Sequence, residues 1–121
     1  MAPVPSLNLA QLLKPYEQAN EQASAEDADE DILDAVLTPI KTPCLFRIMV
    51  CTDTAAVFSA RITKGANTQT VDFNDSTNLT ADALYIFDLL VHSGDTINFR
   101  FDADVNMMKV LRVQEITAGV Q

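Results

Sequence analysis

From Pro43 onward the apolar residues recur at every second position, and this change of period constrains the chain more than any other feature. Phe46, Ile48 and Val50 fall on one face of an extended segment, with Arg47 and Met49 on the other. Only a strand sends successive side chains to opposite faces, so the pattern predicts a half-buried β-strand. The alternation returns from Val57 to Thr63, where Phe58, Ala60 and Ile62 oppose Val57, Ser59 and Arg61. Lys64-Gly65-Ala66-Asn67 then supplies turn chemistry ahead of Thr68 to Phe73, which predicts a hairpin. Leu84 to His92 reads as a hydrophobic strand and Ser93-Gly94-Asp95 as a turn. Thr96 to Phe101 directs Ile97, Phe99 and Phe101 inward and Asn98 and Arg100 outward, and Met107 to Ile116 reads as a final strand. Six short strands with regular turns predict an all-β fold, an antiparallel β-sandwich or jelly roll.

Upstream of Pro39 to Pro43 the composition is different. Residues 1–38 hold eight Asp/Glu against one Lys, which places −7 of the net charge of −9 in the first third of the chain. The expected organisation is an acidic N-terminal arm, residues 1–42, and a β-sandwich domain, residues 43–121. In the arm, Leu9, Leu12, Leu13 and Tyr16 keep helical spacing behind Asn8 and Gln11, arranged like a capping pair. Pro15 should end or kink that helix, and Glu17 and Glu21 suit a new one starting there. The run Glu26 to Asp31 repels itself toward extension, and Ile32, Leu33, Val36 and Leu37 then lie along one side of a possible helical turn or two. The arm is thus expected to be extended and partly helical, with two apolar patches flanking a solvated run.

The 79 residues left for the body form a modest core, a size at which self-association often supplies missing stability. The eight cations are scattered singly, which argues against nucleic-acid binding, since phosphate contacts need clustered Lys and Arg. Apolar runs are interrupted within ten residues and the first residues lack a basic region before a hydrophobic stretch, so neither a membrane span nor a leader is expected. Cys44 and Cys51 stand seven apart on one predicted strand, about 23 Å at roughly 3.3 Å per residue and on opposite faces, too far to bridge. They read as small buried hydrophobes, with an intersubunit disulfide as the alternative. Arg47, Arg61, Arg100 and Arg112 all fall inside strands and read as solvent-face residues paired with Asp or Glu.

Candidate chemistry is sparse. His92 is the single histidine, beside a Gly-Asp turn, so nucleophilic triads and zinc sites have little to draw on. Asp27, Asp29 and Asp31 space oxygens like the start of a calcium loop but lack its glycine and later glutamate. Asp102, Asp104 and Asn106 do the same with Met107 where the glycine would stand. Asn74-Asp75-Ser76 and Asn78-Leu79-Thr80 match the glycosylation pattern but read better as loop formers. Asp72, Asp75, Asp82, Asp88 and Asp95 are numerous enough for a paired-carboxylate hydrolase, yet nothing in the sequence positions any two. The reading therefore expects no enzyme, no metal and no cofactor.

The stretch Leu84-Tyr-Ile-Phe-Asp-Leu-Leu-Val-His-Ser-Gly-Asp-Thr-Ile-Asn-Phe-Arg-Phe101, followed by Val110-Leu-Arg-Val-Gln-Glu-Ile116, resembles the closing strands of small jelly-roll virion proteins of tailed bacteriophages and archaeal viruses. The likeness spans Val71 to Ile116. Its strand, Gly-Asp turn and further strands also occur in trimeric tumour-necrosis-factor-like and lectin-like sandwiches. The resemblance implies a capsid decoration or accessory head protein, assembled in the host cytoplasm as a homotrimer and located in the virion. Its arm would dock on the major capsid protein or another virion subunit through Leu9, Leu12, Leu13, Tyr16, Ile32, Leu33 and Val36. Two other functions compete: a sugar- or receptor-binding spike module working through Asn74, Asp75, Asn78, Asp102, Asp104 and Asn106, and a head-completion or tail adaptor.

Overall fold

A computed structural model describes residues 13–118, with side chains from Tyr16 to Thr117. Seven antiparallel strands form: β1 Leu13–Glu26, β2 Cys44–Thr52, β3 Phe58–Lys64, β4 Asn67–Asp72, β5 Tyr85–Val91, β6 Asp95–Phe101 and β7 Val105–Ala118. They make a four-stranded sheet in the order β1-β7-β2-β5 and a three-stranded sheet in the order β4-β3-β6. The all-β expectation holds. The two sheets describe a β-sandwich, whereas a jelly roll takes eight strands, one more than the described residues provide. Only β3 and β4 form a sequential hairpin within one sheet, across a two-residue turn in which Gly65 takes φ +61°. Every other connection crosses between sheets or runs around their side.

The core lies between the sheets on the faces that the period-two pattern assigns. Phe46, Ile48 and Val50 of β2, Phe58 and Ala60 of β3, Ile97, Phe99 and Phe101 of β6, and Leu111 and Val113 of β7 are all buried. Phe58 is its hub, with ring centroids 5.3 Å from Phe99 and Phe101 and 5.4 Å from Phe73. Phe87 continues this stack at 4.7 Å from Phe73.

The N-terminal arm departs from expectation. No helix forms from residue 13 to residue 42; Leu13–Glu26 is instead a 14-residue strand paired antiparallel with β7, from Leu13 opposite Ala118 to Glu26 opposite Val105. Ala, Gln and Glu favour helices only weakly, and the unpaired edge of β7 offers a ladder of backbone hydrogen bonds that outweighs this preference. Nor are residues 13–42 a tether standing apart from the body. After β1 the chain runs as a strap along the free edge of β6, where Asp29, Ile32 and Leu37 donate backbone N–H groups to the carbonyls of Phe101, Phe99 and Ile97 at 2.8–2.9 Å. Asn98 points away from the core but is buried under this strap, bonding the N–H and the carbonyl of Leu33 at 3.0 Å each. The strap thereby covers a sheet edge that would otherwise expose unpaired backbone.

Candidate functional site

The arm residues proposed for docking divide. Leu9 and Leu12 lie outside the described residues, and Leu13 opens β1 without a described side chain. Ile32 and Leu33 are core residues of this same chain, 8% and 6% exposed, and Leu37 joins them; they are not available to a neighbour. Their apolar spacing signals burial correctly, but it serves the chain's own sandwich. Tyr16 and Val36 do remain open, each more than half exposed. Val36 borders an open groove of about 490 Å³ between Gln18–Glu21 of β1 and Leu33–Leu37 of the strap.

The acidic run also finds partners at home. Asp31 accepts from Arg100 Nε at 2.8 Å and lies 3.9 Å from Arg61 Nε, both on the outer face of the smaller sheet. Arg112 bonds Glu17 across β1 and β7, and Arg47 grips Asp88 with two bonds of 2.9 and 3.0 Å. All four strand arginines are thus paired with carboxylates, as their positions predict. Exposed pairs of this kind contribute little to stability, and the two made by Asp31 orient the strap more than they stabilise it.

One carboxylate is different. Glu115 of β7 is 1% exposed, and it accepts hydrogen bonds from the backbone N–H groups of Ile40 and Lys41 at 2.7 and 3.0 Å and from Gln18 Nε2 at 2.9 Å. It ties together β1, β7 and the end of the strap. Close by, burial pushes the Cys44 thiol up to about 11, with the charge of Glu115 adding to the effect. Cys44 and Cys51 are both free and buried, so they behave as small hydrophobes.

The loop candidates gather at one end of the sandwich. Phe73 donates to Phe58 O, Leu79 to Ala56 O and Asp102 to Val57 O, which brings residues 74–83 and 102–106 against the β2–β3 connection. Asn74, Asp75 and Ser76 form a short turn in which all three have positive φ, between 54° and 59°. Most of the polar atoms here are engaged within the loops. Asn74 Nδ2 donates to Thr77 Oγ1, Asp102 Oδ1 accepts from Val57 N, Asp104 Oδ1 accepts from Ala28 N, and Asn106 Nδ2 donates to Asp53 Oδ2. Asp75 and Asn78 are exposed. Among the described residues no three His, Cys, Asp or Glu side chains converge as metal ligands.

Two carboxylates in these networks make stability depend on acid. Bonding to Arg47 holds Asp88 below the usual carboxylate range, and bonding to the Thr54 hydroxyl, with the Met107 N–H next, does the same for Asp53. A lowered folded value means that the unfolded chain takes up the proton first. Their contribution is therefore complete above the unfolded value near 4 and is lost as pH falls through the lower folded values. The urea midpoint is expected to fall below about pH 4, and Asp53→Asn to make that fall shallower.

The surface that sequence reasoning missed is the outer face of the larger sheet. Leu84, Ile86 and Leu90 are 59%, 56% and 58% exposed. The cross-strand register sets Leu90 beside Leu45, whose other neighbour is Ile116, and Ile86 beside Met49. The signal was present, because Tyr85 to Val91 is apolar at both odd and even positions apart from Asp88. Such a run normally marks a strand buried on both faces. Here one face packs on the core and the other is open.

No helix among the described residues is long and apolar enough to cross a membrane. Comparison with known proteins adds no relative: no family model, no curated protein and no solved structure matches the chain.

Proposed function

We propose that the protein is a structural subunit that works by adhesion rather than by chemistry, and that within this class it is a capsid decoration or accessory protein of a virion. The observation that carries the reading is the exposed apolar trio Leu84, Ile86 and Leu90 on the outer face of the larger sheet. Grouped apolar side chains on a soluble surface mark places where another surface sits. Each such side chain contributes roughly 1.5–3 kcal/mol when fully buried, before ordering costs. A second contact is supplied by the groove beside β1, where Val36 remains exposed and Glu21 and Asp34 give it acidic character suited to a basic patch on the shell.

The test is co-sedimentation of the purified protein with isolated shells. Saturation at a fixed ratio per capsid subunit is expected, with loss of binding at high salt if the acidic groove takes part. Protein that stays in the supernatant at every concentration removes the decoration role, and the search then moves to glycan binding by the loop end.

A further inference from the structure

We infer that β5 is a self-pairing edge: two copies of the chain join antiparallel through Tyr85–Val91 about a two-fold axis, extending the larger sheet from four strands to eight. The inference deepens the adhesive reading above and rests on it, by naming the first partner as a second copy.

The two edges of the larger sheet are treated differently. At the β1 edge the strand is broken by register shifts at Glu17/Ala19 and Ser24/Glu26, and it carries Glu17, Glu21 and Glu26. Bulges and charges of this kind are how sheets refuse further strands. The β5 edge has neither. It pairs with β2 in unbroken register from Tyr85 to Val91, contains no Pro and no Lys, and has β2 as its single neighbour in the sheet. An edge of this kind holds out unpaired N–H and carbonyl groups, ready for an added strand.

Charge selects the occupant. Each copy carries −9, and eight of its acidic residues lie between Glu17 and Asp34, on β1 at the far edge of the sheet and on the strap along β6. A basic partner would be drawn there. Around β5 the charges are Arg47 and Asp88, which cancel in a two-bond pair, so this is a face on which two copies of an acidic protein can meet without repulsion. Centring the two-fold axis on Phe87 sets Leu84 opposite Leu90 of the second copy and keeps the two Asp88 side chains from facing each other. Centring it on Asp88 would oppose like charges, which cross-strand pairs disfavour. The contact is isologous and closes at two copies, so it gives a dimer where the resemblance to virion proteins implies a trimer.

The full chain should be followed by light scattering and sedimentation over a concentration series. The expected mass rises from 13.2 kDa to twice that value. Ile86→Glu, which the register sets opposite Asp88 of the second copy, and Leu90→Lys, both at open positions, should hold the mass at one copy throughout, with circular dichroism and melting unchanged. A Val71→Lys control on the exposed strand β4 should dimerise normally. A wild-type chain that stays monomeric, one that forms trimers, or a dimer indifferent to both substitutions would overturn the pairing. Shell binding is scored separately on the same samples. A dimer that ignores shells keeps the pairing and removes the virion role, whereas shell binding by a wild-type chain that never dimerises keeps that role and removes the pairing.

Discussion

A chain lacking residues 1–38 should fail to fold. The deletion takes Ile32, Leu33 and Leu37 out of the core, and at about 1.5–3 kcal/mol each their burial contributes roughly 5–9 kcal/mol. The whole stability of a domain is about 5–15 kcal/mol, so this loss alone reaches its lower half. The deletion also strips β1 from β7 along the full pairing and uncovers the edge of β6. Far-ultraviolet circular dichroism and a urea melt of the truncated chain would check this. A cooperative transition close to that of the full chain would show that the strap is dispensable and restore the picture of a separate tether.

Glu115→Gln should be the most damaging single isosteric change. The carboxylate accepts from three donors, and an amide offers one acceptor oxygen while turning an NH₂ group toward the remaining N–H donors. Hydrogen bonds to a charged group contribute about 1.5–3 kcal/mol, and a buried donor left facing another donor costs a further 1–3 kcal/mol, so a loss of about 2–4 kcal/mol is expected. The urea midpoint measures it. Hydrogen exchange would sharpen the result, because the N–H groups of Ile40 and Lys41 should lose protection before those of β2. A midpoint within error of the wild type would mean that the strap is held by its apolar residues alone.

Most of the body was legible because its faces alternate. Phe46, Ile48, Val50, Ile97, Phe99 and Phe101 all pack inward as the period predicts, and the boundaries of β2 to β7 lie within a few residues of the sequence reading. The arm was not legible, for two physical reasons. Its residues between Tyr16 and Glu26 carry little apolar signal, so nothing local announces a strand whose stability comes from pairing with β7 some ninety residues later. The patch around Ile32 was visible as apolar, but spacing cannot say whether the surface that covers it belongs to the same chain. Glu115 and Asn98 were hidden by the same gap. Each occupies a position on a strand with nothing unusual about it until the strap arrives to bond it. At the candidate site the residue types of β5 were read, while its place at the edge of the sheet depends on strand order, which local pattern does not encode.

The position of β7 has a consequence for how the protein is made. It lies between β1 and β2, so the larger sheet joins the earliest described strand to the latest. During synthesis the sheet has no centre until about residue 118 has cleared the ribosome, and contacts this distant in sequence form slowly. Through that interval the nascent segment that becomes β1 waits without a partner. Its charge and scarcity of apolar residues keep it soluble during the wait, and the same composition that obscures it as a strand guards it against pairing too early with the wrong neighbour.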